Sequence, residues 1–99
     1  PDWKAAAAYR AGRYDEAARL LESLPQPDPD LLYNRANALA KSGRLEEALK
    51  AYDQVLKQRP DDEDARYNRR LVEQALKQRN QQGQNQQGQN QQGQNQQGQ

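Results

Sequence analysis

The sequence predicts an all-α fold built from antiparallel helix-turn-helix repeats. Apolar residues between Gly12 and Pro60 recur at helical spacing and lack the alternation typical of strands. The stretch GRYDEAARLLESL, which begins at Gly12, returns as GRLEEALKAYDQVL from Gly43. The tripeptide YNR occurs at positions 33–35 and again 34 positions later, at 67–69. A helical pattern repeated at this period predicts about two and a half repeats, with a last helix that caps the stack.

Start and stop signals place the first three helices. The opening DWKAAAAYRA has strong helix propensity, and Gly12 follows it in a position to adopt the left-handed conformation that ends a helix. The second helix carries apolar residues from Tyr14 to Leu24 on one face, and the prolines at 25, 27 and 29 interrupt the chain after it. Asp28 is the expected N-cap of the third helix, because a proline follows it at the first helical position.

The fourth helix follows Gly43 and ends at Arg59, because a proline disfavours helical geometry in the residue before it. Four carboxylates at 61–64 are then expected to start the fifth helix, where the helix dipole favours negative charge. Lys77 and Arg79 are expected at its other end. We considered a metal site at 61–64 as the alternative, but the run lacks the glycine and the spacing of a calcium loop.

Composition divides the chain at residue 79. Residues 80–99 are NQQGQ four times over, with no charged and no apolar side chain. Because such a segment cannot offset its ordering entropy by burying surface, we expect a folded domain at 1–79 and a disordered low-complexity tail at 80–99. The tail is interpreted as a solvated linker, and self-association through Asn and Gln amide ladders is the alternative.

Absent residue types exclude several classes of function. The chain has no His and no Cys, which excludes the common zinc sites, thiol nucleophiles and Ser-His-Asp triads. We therefore predict no catalysis, no metal site and no cofactor. Fifteen Lys and Arg balance fourteen Asp and Glu without a long basic run, which argues against nucleic-acid binding. No apolar run approaches the length needed to span a bilayer, so this segment is not expected to insert into a membrane.

The best-matched unit, from Asp30 to Asp62, resembles the tetratricopeptide repeat. The residues at the signature positions of that family are Leu32, Ala36, Leu39, Gly43, Leu45, Ala48, Tyr52, Val55 and Pro60. The resemblance implies that Ala36 and Ala48 lie where the two helices of a unit approach most closely. It also implies a module for protein–protein interaction, in which the first helix of each unit lines a concave groove.

The order of segments also resembles a narrower group, the bacterial Bat-type aerotolerance proteins. The likeness lies in the opening PDWKAAAAYRAGRYDEAARLLE, in the two YNR segments and in the Gln-rich end. In that group a membrane-anchored von Willebrand factor A domain precedes a short tetratricopeptide segment. The resemblance implies a piece of an inner-membrane protein that works in a membrane-associated complex. The side of the membrane stays open.

The expected groove-facing residues follow from this fold. The residues predicted to contact a partner are Tyr33, Asn34, Asn37, Lys41, Tyr67, Asn68 and Leu71. Further candidates on the same helices are Trp3, Ala6, Arg10, Asp30 and Asp64. Tyr offers rigid amphipathic area and Asn can pair with an extended backbone, which suits peptide recognition. The alternative is that Tyr and Asn make ordinary contacts within the stack, with Asn bonding the adjacent helix.

Two more specific functions were weighed. Some tetratricopeptide domains clamp the C-terminal carboxylate of a chaperone with Lys, Asn and Arg. The matching positions here are Asp2, Ala6, Asn34, Asp64 and Asn68. Only Asn34 agrees, so a carboxylate clamp is not expected. The competing hypothesis to groove binding is a structural spacer or a weak homo-oligomer, in which the last helix pairs with another copy through Leu71 and Val72.

Overall fold

The computed structural model describes residues 2–24 and 28–91, with side chains at 3–24 and 28–83. These residues form five helices: α1 (Asp2–Arg10), α2 (Tyr14–Glu22), α3 (Pro29–Lys41), α4 (Leu45–Gln58) and α5 (Glu63–Gln91). No strand occurs in the described ranges. Each helix packs against the next one in the chain, and α3 also contacts α5. The predicted all-α repeat fold is confirmed.

The two predicted glycine turns have the same backbone structure. Gly12 and Gly43 adopt φ values of 83° and 89°, in the left-handed region that favours glycine. In each turn the residue after the glycine donates its N–H to a carbonyl near the end of the preceding helix. Arg13 donates to Ala8 and Arg44 donates to Leu39, both at 2.9 Å. Because the two turns are equivalent, each residue of α1 corresponds to the residue of α3 that lies 31 positions later.

Helix starts follow the predicted caps. The Asp28 carboxylate accepts a hydrogen bond from the N–H of Leu31 at 2.9 Å, and Pro29 opens α3. The Asp62 carboxylate accepts from the N–H of Ala65 at 3.0 Å, so the acidic run at 61–64 does cap a helix. As predicted, α4 ends just before Arg59 and the proline that follows it. The prolines at 25 and 27, and the expected shortening of the first unit there, lie outside the described residues.

The last helix is longer than the sequence indicates. It continues to Gln91, so the expectation that it ends near Lys77 and Arg79 is wrong. Residues 80–83 of this extension are exposed. The division into a domain at 1–79 and a tail at 80–99 stays a prediction, and residues 92–99 lie outside the described part of the chain.

Small side chains allow the helices to pack closely. Ala36 and Ala48 are fully buried, at the places where α3 and α4 were expected to approach most closely. Leu39 and Tyr52 fill the space beside them and are each 1% exposed. Because interiors of this kind are close-packed, a larger residue at either alanine would separate the two helices.

Ion pairs repeat between successive units. Arg35 of α3 pairs with Glu22 of α2 at 2.8 Å, and Arg69 of α5 pairs with Asp53 of α4 at 2.6 Å. Both arginines are the third residue of a YNR tripeptide, and both carboxylates lie on the helix just before. The recurrence of YNR therefore has a direct structural consequence, because its arginine ties each unit to the one before it.

A second set of ion pairs involves carboxylates in the first turns of α2 and α4. Arg44, just before α4, contacts Asp15 of α2 at 2.9 Å, and Arg79 of α5 contacts Glu46 of α4 at 2.9 Å. Arg44 also pairs with Glu47 at 2.7 Å, and its hydrogen bond lowers the pKa of that carboxyl. Together the two sets of pairs join α2 to α3 and to the start of α4, and they join α4 to α5.

The outer face of α5 is charged where the corresponding face of α3 is apolar. Arg66 and Arg70 lie 34 positions after Leu32 and Ala36, which are buried against α4. Both arginines are exposed. A following helix could not bury this face without burying two guanidinium groups, which is unfavourable unless each gains a carboxylate partner. The helix α5 therefore closes the stack, as the sequence predicts.

Candidate protein-binding groove

Two open cavities lie side by side along α1, α3 and α5. The first has a volume of about 540 Å³ and lies between α1 and α3. The second has a volume of about 360 Å³ and lies between α3 and α5. Tyr9 and Asn37 line both cavities, so the two form one continuous surface. We call this surface the groove. It is defined by Trp3, Ala6, Tyr9, Arg10, Leu31, Asn34, Asn37, Lys41, Asn68 and Leu71.

A hydrogen-bonded cluster lies beneath the second cavity. The Asn68 amide donates to the Tyr33 hydroxyl at 2.9 Å and to the Asn37 side-chain carbonyl at 3.2 Å. The Tyr52 hydroxyl donates to the same Asn37 oxygen. The rings of Tyr33 and Tyr52 meet edge to face, with centroids 6.2 Å apart. These four side chains link α3, α4 and α5, and we call them the Tyr-Asn cluster.

Burial changes the acidity of one member of this cluster. The pKa of the Tyr52 phenol is raised, first because burial disfavours its charged form, and then because the negative charges that Tyr33 and Tyr9 can develop oppose it. Tyr52 is therefore a neutral hydrogen-bond donor over the physiological range. This suits a structural role and offers no general base.

Comparison with protein families decides the assignment. The model of the tetratricopeptide repeat matches residues 8–74, about two thirds of the chain. The chain belongs to the tetratricopeptide repeat family. No solved structure matches it significantly. Tetratricopeptide repeats generally mediate protein–protein interaction and are not enzymes.

Within this tetratricopeptide domain the groove is formed by first helices, α1 and α3, together with α5, which follows the second unit in the place of a third first helix. Trp3, Ala6, Arg10 and Asn34 line the first cavity. Lys41, Asn68 and Leu71 line the second. Predicted residues of three helices thus line the two cavities, whereas Tyr33, Tyr67, Asp30 and Asp64 line neither of them.

The seven predicted contact residues differ in what they offer to a partner. Asn34, Lys41 and Leu71 are exposed, and Tyr67 is 55% exposed with its ring 6.0 Å from the Arg70 guanidinium. Tyr33, Asn37 and Asn68 are half-buried and belong to the Tyr-Asn cluster.

Two further groove candidates are acidic, and they differ in their surroundings. Asp30 is paired with Arg59 at 2.7 Å, which offsets its charge, whereas Asp64 is exposed in the first turn of α5.

Seven further residues that the sequence did not place in the groove also line the cavities: Ala5, Tyr9, Leu21, Leu31, Ala40, Tyr52 and Val72. Tyr9 is the most central of them, since it lines both. A shift of 31 residues from α1 to α3 matches it with Ala40, which lines the second cavity. Because Ala40 was not predicted to face the groove either, the register of the two glycine turns could not have identified Tyr9 from the sequence.

Among the described residues, no group of three or more acidic side chains is placed to hold a metal ion. None of the described helices is both long enough and apolar enough to cross a membrane. The arrangement provides shape, hydrogen-bonding groups and exposed apolar area, which are the features of a binding surface.

Proposed function

We propose that the groove binds an extended segment of a partner protein. The observation that supports this most is the continuous pair of cavities that α1, α3 and α5 form together. Ligand sites are typically concave and mostly apolar, with a few polar groups that fix orientation. Trp3, Tyr9 and Leu31 supply apolar area here, and Asn34 supplies an exposed amide.

In this proposal the predicted residues have two roles. Asn34, Lys41 and Leu71 contact the partner directly, because they are exposed and line the cavities. Tyr67, exposed one turn before Leu71, contacts the partner beside the second cavity. Tyr33, Asn37 and Asn68 hold α3 and α5 at a fixed distance through the Tyr-Asn cluster, and they add the polar atoms that their mutual hydrogen bonds leave unused. A preformed site binds with less loss of conformational entropy, which favours affinity.

The proposal is tested with peptides selected from a random library against the immobilised protein. We expect selected peptides to lose at least tenfold in affinity, measured by isothermal titration calorimetry, in Ala6→Arg and in the double variant Asn34→Ala with Leu71→Ala. Ala6→Arg fills the first cavity from an exposed position, so the fold should tolerate it.

The matched control is Gln54→Arg, an exposed substitution on α4 that lies outside both cavities. Its affinity for the selected peptides should equal that of the unmodified protein. Peptides whose binding is unchanged by both groove variants would show that another surface is used.

We propose further that the parent protein works in a membrane-associated bacterial complex, as a Bat-type aerotolerance protein does. This rests on the resemblance in segment order and composition. Tethering in such a complex would raise the effective concentration of a weakly bound partner. Reading the gene upstream of codon 1 for a hydrophobic span and a von Willebrand factor A domain tests it. A gene with neither feature contradicts it.

The second proposal is a weak homo-oligomer through α5. Tyr67 and Leu71 support it, since they are exposed at 55% and 46%. Val72 cannot contribute as the sequence suggested, because it is only 7% exposed and packs in the core. Sedimentation of the protein decides this. A dimer that is lost in Leu71→Asn supports association, and a monomer at 100 μM rules it out.

A further inference from the structure

The first helix carries a face whose counterparts in the rest of the stack are covered. The matching hydrogen bonds at Gly12 and Gly43 relate α1 to α3 by 31 residues. The spacing of the two YNR tripeptides relates α3 to α5 by 34. Lys4 thus corresponds to Arg35 and Arg69, and Ala7 corresponds to Ala38 and Val72.

In α3 and α5 these positions contact the preceding helix, which is α2 for α3 and α4 for α5. Ala38 is fully buried and Val72 is 7% exposed. The two arginines, Arg35 and Arg69, reach carboxylates on that preceding helix, and their side chains are only 20% and 29% exposed. The same face therefore packs against a helix twice in one molecule, through a small apolar residue beside a half-buried cation.

In α1 the same positions are exposed. Lys4, Ala7 and Ala11 are all accessible, and Trp3 beside them is 64% exposed. Arg13 corresponds to Arg44 of the next turn, and its side chain is 62% exposed in a 3.3 Å contact with Glu16 of its own helix. We call Lys4, Ala7, Ala11 and Arg13 the N-terminal edge.

The helices that cover the equivalent faces share one pattern. The helix α2 presents Asp15 to Arg44 and Glu22 to Arg35, at 2.9 and 2.8 Å. The helix α4 presents Glu46 to Arg79 and Asp53 to Arg69, at 2.9 and 2.6 Å. In each helix the two carboxylates are seven positions apart, which places them on one face two turns apart.

The position between these carboxylates is apolar in both helices. Three residues after the first carboxylate stands a residue that packs against neighbouring helices, Ala18 in α2 and Leu49 in α4. The pattern is therefore a carboxylate, a small or aliphatic residue three positions after it, and a second carboxylate seven positions after the first.

We propose that the N-terminal edge docks an amphipathic helix of a partner protein that carries this pattern. One carboxylate would pair with Lys4 and the other with Arg13, and the apolar residue between them would cover Ala7 and Ala11. Charge complementarity selects this occupant, since the edge offers two cations at the places where the covered edges hold paired arginines. This surface is separate from the groove, so the proposal does not depend on the proposed function.

A second copy of the chain does not fit the edge. The helix at the other end of the stack, α5, has an exposed outer face that carries Arg66 and Arg70. Placing it on Lys4 and Arg13 would bring like charges together. The faces of α2 and α4 that carry the pattern are already used within each molecule.

The test uses a peptide of residues 45–58 (LEEALKAYDQVLKQ), made helical by a side-chain crosslink on its solvent face. It carries Glu46, Leu49 and Asp53 in the required spacing. Titrated into the ¹⁵N-labelled full chain, it should shift the amide signals of α1 around Lys4 and Ala7. Saturable shifts confined to α1 and the turn after it, up to Arg13, are the expected result.

Two matched variants separate the edge from the groove. Ala7→Arg should abolish binding of the peptide, because a large side chain keeps a helix from approaching this face. Ala6→Arg should leave binding unchanged, since it lies one residue away on the groove side of α1. Both alanines are exposed, so neither substitution should disturb folding.

A charge exchange tests the register. Lys4→Glu should weaken binding about threefold to tenfold, as should Asp53→Lys in the peptide. The two changes combined should restore most of the affinity. Failure of this rescue, equal loss in Ala6→Arg and Ala7→Arg, or shifts at α3 and α5 from displacement of α4 would each overturn the proposal. Loss of the groove function through Asn34→Ala and Leu71→Ala would leave it standing.

Discussion

The side-chain amide of Asn68 lies 2.9 Å from the hydroxyl oxygen of Tyr33, so the two YNR tripeptides are hydrogen-bonded to each other. Asn68 also donates to Asn37 at 3.2 Å. The contact joins α5 to α3 across the helix that separates them in sequence. It fixes the width of the second cavity, because Asn37 and Asn68 both line that cavity.

Replacing Asn68 with Ala should loosen α5. The change removes two hydrogen bonds in a half-buried cluster, and we expect the free energy of unfolding to fall by about 1–2 kcal/mol. Urea unfolding followed by circular dichroism measures this. Gln74→Ala, an exposed change on the same helix, is the control and should lower stability by no more than about 0.5 kcal/mol. Equal stability of the two variants would mean that the cluster adds nothing.

Stability should fall at high pH because of Tyr52. Its pKa in the folded state is raised by burial, above the value of about 10 for an unfolded chain. The contribution of the neutral phenol is therefore complete below pH 10 and is lost as the pH rises towards the folded-state pKa. One such group lowers the free energy of unfolding by about 1.4 kcal/mol per pH unit in that window.

The pH effect is checked by urea unfolding between pH 9 and 11.5. In Tyr52→Phe the free energy of unfolding should fall less steeply with pH, because one titrating group is gone. This variant starts from a lower stability, because the hydrogen bond to Asn37 is lost. The exposed Tyr67→Phe serves as the matched control and should keep the slope. A slope that is identical in all three proteins contradicts the assignment to Tyr52.

The two glycines at 43 and 83 should respond to Ala in opposite ways. Gly43 has a φ of 89°, so a side chain there should lower stability by about 1–2 kcal/mol. Gly83 lies inside α5 with nothing within 4 Å of an added Cβ, so Gly83→Ala should favour the helix by about 1 kcal/mol. Helix content from circular dichroism and urea midpoints test both. A loss of helix in Gly83→Ala would contradict the extension of α5.

The Arg69–Asp53 pair should contribute modestly, because both side chains keep contact with water. A double-mutant cycle with Arg69→Met and Asp53→Asn should give a coupling energy of about 0.5–1 kcal/mol. The coupling should shrink in 0.5 M NaCl, as expected for a screened pair. A coupling of zero at low salt would show that YNR does not tie the units electrostatically.

Much of this fold could be predicted from the sequence because local signals agree with one another. Gly12 and Gly43 end helices for conformational reasons that act within a few residues, and Asp28 caps α3 in the same local way. The candidate binding site was harder to predict from the sequence than the fold. Which of Asn34, Asn37 and Asn68 faces a partner depends on small rotations of helices about their axes, and the sequence pattern does not resolve them.

The extent of α5 illustrates a different gap. Composition argues that residues beyond 79 cannot bury surface, which is correct for the exposed residues 80–83. A helix that is already nucleated by packing, however, adds each further residue at little free-energy cost, and Gln has a good helix propensity. Reasoning from burial alone therefore underestimates how far an anchored helix continues.

The charged face of α5 makes the molecule directional. Arrays assembled by joining hairpins of this sequence would lengthen more readily ahead of α1, because a helix added after α5 would have to bury Arg66 and Arg70. To lengthen the array after α5, both arginines would have to be replaced with apolar residues. If they are kept, the two arginines disfavour the addition of another hairpin after α5 and so limit the length of such an array.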